Sequence, residues 1–314
     1  MRYLLTLLLF FLQLNAETVT PAFVYEGSGG VTDMVYKDAK LYVATAEGTV
    51  DIYDTKAQKM IETIKVPMIK DFVGDEVASK IYSVDIVNGK MMIASQGKQG
   101  YRRVHIYENG TLKEVISTEL LYVIAKAKYI DENMLLLALL SNEVILYDIK
   151  NSKELYRVQI SASKFSNFAL NEKKDAFVLA DESGDLELIA VKDAKILKQF
   201  KGQNVDNIFQ LDYKNGIIIT AGQDRRTAVY SDDGRTAYYK EGSFLIYSAG
   251  LSPSGKLGAF ASDENNNVSV FNTETKADIV KLGSHKATLT GILFINEKEL
   301  FTSSDDTHIN YWKL

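Results

Sequence analysis

The sequence predicts an all-β fold, a seven-bladed β-propeller, and three observations predict it. A short alternating strand that closes on an aromatic or large apolar residue recurs at a near-constant period. Each copy carries an earlier strand-like run, and turn dipeptides separate the runs. Beyond the first sixteen residues, no stretch has the apolar spacing of an amphipathic helix.

The chain opens with MRYLLTLLLFFLQLNA, one basic residue followed by an apolar block too short to span a bilayer. This pattern reads as a cleavable secretory signal over 1–16, leaving 17–314 as a single propeller domain. No cysteine is present, so disulfides, thiolate metal sites and lipid attachment through cysteine are excluded. That composition suits a periplasmic setting. Without Arg2 the remainder holds 35 basic and 41 acidic residues, an acidic balance that excludes a nucleic-acid surface.

The closing strands are VDIY (50–53), VHIY (104–107), VILY (144–147), LELI (186–189), AVY (228–230), VSVF (268–271) and INYW (309–312). Their last residues are spaced by 54, 40, 42, 41, 41 and 41 positions. A period of forty-odd residues with several short strands per copy is the signature of propeller blades. The preceding strands run LYVAT (41–45), MMIAS (91–95), LLLAL (135–139), AFVLA (176–180), IIITA (217–221), LGAFAS (257–262) and LFTSS (300–304). Asn88-Gly89, Asn109-Gly110, Ser183-Gly184, Asn215-Gly216, Asp233-Gly234 and Ser254-Gly255 mark turns. Innermost strands are expected at VTDMVY (31–36), IYSVDI (81–86), AKAKYI (125–130), FSNFAL (165–170), VDNIFQ (205–210), YSAGL (247–251) and LTGILF (289–294). Six units have an outer strand, and the seventh ends without one. The orphan strand PAFVYEG (21–27) is therefore expected to complete the last blade and close the ring, since an open edge invites another chain.

GSH (283–285), SPSGK (252–256), GQDRRTAVY (222–230) and SSDDTHINYW (303–312) resemble the WD-repeat family of seven-bladed propellers. The resemblance is strong in the last three units and weak in the first four. More narrowly, an exported, cysteine-free propeller of this size is similar to the NapL family, periplasmic propellers that accompany the periplasmic nitrate reductase. That similarity implies an accessory or maturation role, with components of the nitrate reductase system as partners. The WD-repeat resemblance also implies a structural hydrogen-bond relay of His285, Ser303, Asp306 and Trp312, with Asp224 a partial copy lacking its histidine.

No catalytic, cofactor-binding or metal set stands out. The three histidines, His105, His285 and His308, do not sit at zinc-ligand spacing, and alternation places His105 and His308 facing solvent. The acidic pairs at 232–233, 263–264 and 305–306 read as turns. Asp33, Asp85 and Asp206 are expected on innermost strands beside Lys126 and Lys128, a mixture that suits a solvated channel. A hydrolase or lactonase with a metal at the channel mouth, or an outer-membrane assembly scaffold, are the rival readings.

The main irregularity is the first interval of 54 residues. It holds a long connection, VPMIKDFVGDEVASK (66–80), and a long hairpin, QGKQGYRR (96–103). Successive strands of a blade run in alternate directions. The connection into a blade and the turn between its second and third strands therefore emerge on the same face. Met68, Ile69, Phe72, Tyr101, Arg102 and Arg103 are accordingly expected together over blade two, with Arg225 and Arg226 on the same face at blade five. Aromatic, Met and Arg composition suits a protein-contact surface on a monomeric scaffold without enzymatic activity.

Overall fold

The computed structural model describes residues 18–314, so the expected signal segment lies outside the described residues. Seven antiparallel sheets are arranged as blades, each built from strands consecutive in the chain except where the N-terminus enters. The innermost strands are Val31–Lys37, Ile81–Val87, Ile124–Asp131, Phe165–Leu170, Ile208–Lys214, Ala249–Leu251 and Leu289–Asn296. In the fifth blade the strand starts later than the sequence suggests. Asp206 therefore falls in the connection before it, and Asp212 takes the place on the strand. Asp206 accepts from the Asn207 amide (2.8 Å) in that connection.

Alternation within each strand puts apolar side chains on both sheet faces, and neighbouring blades bury them face to face. Cores such as that around Leu136, Phe168 and Phe177 sit between successive blades rather than at one central point. The innermost strand of each blade is a sheet edge whose outward backbone groups lack a ladder partner. Side chains of the preceding blade supply it. Asp33 Oδ2 accepts from Val84 N (2.9 Å), Asp85 Oδ2 from Tyr129 N (2.8 Å) and Asp212 Oδ2 from Leu251 N (3.0 Å). Ser83 Oγ donates to Ala127 O (2.7 Å), and Asn167 Nδ2 donates to Phe209 O (3.2 Å). Between blades six and seven the contact is direct, and a Cβ on Gly250 would lie 2.6 Å from the Ile292 carbonyl oxygen.

The N-terminal strand closes the ring as expected. Phe23–Glu26 pairs antiparallel with His308–Lys313, bringing Phe23 opposite Tyr311 and Glu26 opposite His308. The segment also reaches two other blades. Thr18–Val19 adds to the sixth blade in parallel with Asp278–Leu282. On the other side, the Ser28 amide and hydroxyl donate to the buried Asp51 carboxylate of blade one at 2.7 and 2.8 Å. Tyr25 is buried, its ring edge-on to Tyr53 (5.1 Å) and Phe301 (5.9 Å). Eleven residues, 18–28, thus tie blades six, seven and one together.

Replacing Tyr25 by Ala should therefore destabilise the protein by about 3–5 kcal/mol, as for other large buried rings. Removing the whole segment should lower stability further. Urea unfolding followed by the fluorescence of Trp312, the one tryptophan, measures both. Unchanged midpoints would mean that closure does not depend on the clasp.

Candidate functional site

The last blade carries a buried polar network that runs from Trp312 to Asp306. Trp312 Nε1 can only donate, and it donates to Thr302 Oγ1 (2.8 Å). The Thr302 hydroxyl then donates to His285 Nε2 (2.6 Å). His285 Nδ1–H donates to Ser304 Oγ (3.0 Å), and Ser304 donates to Asp306 Oδ1 (2.7 Å). Because Ser304 gives its proton to Asp306, it accepts from the imidazole, which assigns His285 as neutral and protonated at Nδ1. Burial agrees, pushing this imidazole down to about 4. The Asp306 carboxyl is pushed up by burial, yet the Ser304 hydroxyl and His308 amide outweigh that and hold it below the usual range.

Ser303 is not part of this relay, contrary to the sequence expectation. Successive strand residues point to opposite faces, and the relay face carries Thr302 and Ser304. Ser303 instead meets Thr290 Oγ1 at 3.0 Å. Because both histidine nitrogens and the serine are saturated by fixed partners, the cluster holds a blade together rather than presenting a nucleophile.

Two earlier blades keep altered versions. In blade five Asn204 replaces the histidine. It accepts from Thr220 Oγ1 (2.6 Å) and donates to Asp224 Oδ1 (3.2 Å). In blade four Ser161 donates to Asp181 Oδ2 (2.7 Å), with the acid now on the strand. Asn204 and Ser161 each stand four residues before their innermost strand, as His285 does. That spacing was the signal that could have found them.

His105 corrects a second expectation. It is buried, not solvent-facing, because the third strand of a blade is covered by neighbours on both faces. Burial first, and then Arg103, push it down to about 4. His308 is exposed, with its Nδ1 3.2 Å from Asp306. In the channel, Lys128 donates to Asp33 Oδ2 (3.2 Å) and to Val84 O (2.8 Å). Burial opposes its charge, but Asp33 and Asp85 outweigh burial and raise it. Lys126 donates to Asn167 Oδ1 (2.7 Å), and burial followed by Lys128 lowers it to about 8. The channel carboxylates accept backbone amides, and among the described residues no three His, Asp or Glu side chains are grouped to hold a metal ion. One buried carboxyl stands apart. Glu187 is raised to about 7 by burial, then by Asp181 and Asp185.

The two insertions over blade two do stand together. The connection forms a small hairpin, Ile69–Lys70 against Glu76–Val77. Its root is buried through Val66 and through Ile69, which is therefore core and not part of the contact surface expected from sequence. Arg103 donates to the carbonyl of Pro67, joining the 96–103 hairpin to it. On the other side, the Arg102 amide donates to Tyr122 O (2.8 Å), joining the same hairpin to the connection into blade three. The Arg102 guanidinium lies 4.1 Å from the Tyr82 ring centroid, and Tyr101 is half-buried. Three loops thus form one platform. Met68, Phe72, Val73, Leu120 and Leu121 are exposed on it. The two leucines were not singled out from sequence. The signal was there, since Leu120 and Leu121 open an apolar run, LLYV, in the connection between two strands. Arg225 and Arg226 share the face but not the platform. Arg226 lies over Tyr239 (4.3 Å) and donates to Gln203 O (3.1 Å), while Arg225 is exposed.

Exposed large apolar residues follow a pattern. Those not on outer strands or at Leu314 all lie in connections on this one face: the five above, plus Val205 and Phe244 near blade five. The turns of the opposite face, such as 148–153 and 171–175, are polar and charged.

No family model and no curated protein sequence matches the chain. Among solved structures it is similar to the β-propeller domain of Cps50 (Swd1) from Myceliophteria thermophila, with a TM-score of 0.74 at 15% identity. The similarity covers 93% of this chain and 99% of that one. At this identity the likeness shows the fold: an all-β, seven-bladed propeller.

The relay geometry separates two neighbouring substitutions. Thr302→Val leaves Trp312 Nε1 and His285 Nε2 unpaired and should lose about 1–3 kcal/mol per orphaned group. Ser303→Ala should lose under about 1 kcal/mol, and equal losses in urea unfolding would contradict the relay. The pH dependence has two opposing parts. His105 and His285 are lowered on folding, so their stabilisation is present above about 6.5 and is lost as pH falls towards about 4. Glu187 is raised on folding, so its contribution is present below about 4.5 and is lost as pH rises through about 7. Glu187→Gln should abolish the second part, leaving stability to rise from pH 4 to 6.5. A profile identical to wild type would refute the assignment.

Proposed function

We propose that this chain is a non-enzymatic, exported scaffold that binds another protein through the face bearing the blade-two platform. One observation carries the reading: apart from the outer strands and the last residue, the large exposed apolar side chains are confined to the connections of that face. Contiguous exposed apolar surface on a soluble protein marks a contact site. The opposite face, with its charged turns, has the composition of a solvated surface. Catalysis is disfavoured because the Ser, His and Asp of the last blade are consumed by one another.

Within this reading, the partner is a component of the periplasmic nitrate reductase system, and the protein serves it as an accessory or maturation factor. That finer assignment rests on the sequence resemblance to the NapL family alone. Export rests on the apolar N-terminal block, and the mature chain is expected to begin at Glu17.

A tagged protein isolated from the periplasmic fraction tests all three parts. N-terminal sequencing should start at Glu17, and nitrate reductase components should co-purify. Trimming 66–80 to a short turn should abolish their recovery, while substitution of Lys173 on the opposite face should not. Equal recovery after trimming would remove the surface assignment, and recovery of no reductase component would remove the narrow one.

A further inference from the structure

We propose that Phe72 and Val73 form a preorganised plug that enters an apolar pocket with a basic rim on the partner protein. This rests on the scaffold reading above and specifies the chemistry of its interface.

A flexible loop would fold an exposed phenylalanine back onto its own protein, because burying apolar surface is favourable. This loop is built so that it cannot. Its base is fixed by buried Val66 and Ile69 and by the bond from Arg103 to Pro67. Its tip is closed by the Asp71 amide donating to Asp75 O (2.9 Å). The Asp71 carboxylate accepts from the Val73 and Asp75 amides at 2.9 and 3.0 Å. Gly74 supplies the left-handed turn, φ +96°, that the return requires. The result is a tied hairpin holding Phe72 at 97% exposure and Val73 at 82%.

Presenting a rigid aromatic in this way reduces the ordering needed on association, which is how a single side chain becomes an anchor. A second feature of the platform points the same way. Leu121 is 60% exposed and holds φ +57°, a left-handed conformation that glycine or asparagine would adopt with less strain. A bulky apolar residue kept there, on a loop tied to the plug through the 96–103 hairpin, extends the apolar footprint beside it.

Charge selects the rim. Lys70, Asp71, Asp75 and Glu76 surround the tip, three acids against one base. The pocket that receives Phe72 is therefore bordered by lysine or arginine. A lipid surface is not favoured, since anionic headgroups would meet this acidic collar.

Photo-crosslinking from the full-length protein in its native cells tests the proposal. p-Benzoylphenylalanine is placed singly at Phe72, at Leu121 and at Phe244, with Lys173 on the opposite face as control. The plug predicts one protein adduct from 72 and 121 and none from 173, and predicts that Phe72→Asp removes the adduct formed from 121. With that purified protein as the probe, Phe72→Ala should weaken binding at least tenfold and Phe72→Leu much less. Glu76→Lys should weaken it severalfold, with the difference shrinking at high salt. Adducts from 244 but not from 72, or unchanged affinity for Phe72→Ala, would overturn the plug while leaving the scaffold standing. Lipid adducts from 72 would overturn the protein pocket. Absence of any adduct on this face would overturn both readings.

Discussion

Every blade has an inner edge, and the fold depends on how those edges are satisfied. A four-stranded sheet leaves backbone amides and carbonyls on its first strand with no ladder partner, and in a ring these all point toward the channel. Asp33, Asp85 and Asp212 answer this by bonding the backbone of the next blade, always in the same sense around the ring. Such contacts are individually worth roughly 1–3 kcal/mol because one partner is charged. These bonds join blade one to two, two to three and five to six, while the N-terminal segment ties six, seven and one. Reaching blades six, seven and one places three successive blades under one stretch of chain.

The same coupling explains what the polar residues of the channel and the last blade are for. A carboxylate or hydroxyl spent on a neighbour's backbone has that bonding position filled, which leaves it less able to meet the proton of a reacting group. The relay from Trp312 to Asp306 is one-directional and requires a neutral imidazole. Its chemistry is therefore that of a clamp, sensitive to protonation but not to substrate. Lys128 behaves likewise, bridging blade three to Asp33 of blade one across blade two.

The architecture was largely legible in the sequence because blades repeat a strict period and each strand alternates. The orphan strand at 21–27 could be assigned by counting alone. Details set by one-residue register were not legible. Ser303 and its neighbours Thr302 and Ser304 are all small and polar, and only the pleat decides which two face the histidine. His105 looked exposed because alternation tells the two faces of a strand apart but not that both are covered. The parallel pairing of Thr18–Val19 left no trace, since two residues carry no periodicity. In the blade-two platform, the surplus length announced the insertions and topology placed them on one face. The contribution of Leu120 and Leu121 came from a short connection that no length argument would have marked.

Stability and exposed apolar surface are thus drawn from different parts of the chain. The blades bind one another through buried faces and saturated polar groups, so they tolerate little change and offer little to a partner. The connections carry less of that burden, through single buried members such as His285, Asn204 and Tyr122. The 66–80 hairpin shows the division within fifteen residues: Val66 and Ile69 belong to the core, while the side chains of Phe72 and Val73 stand in solvent. An exposed ring confers no stability where it stands, and the turn that holds it out uses a carboxylate and a left-handed glycine to do so. Under the proposed scaffold reading, the ring's contacts are supplied by another molecule. The propeller is the rigid base that makes holding it out possible.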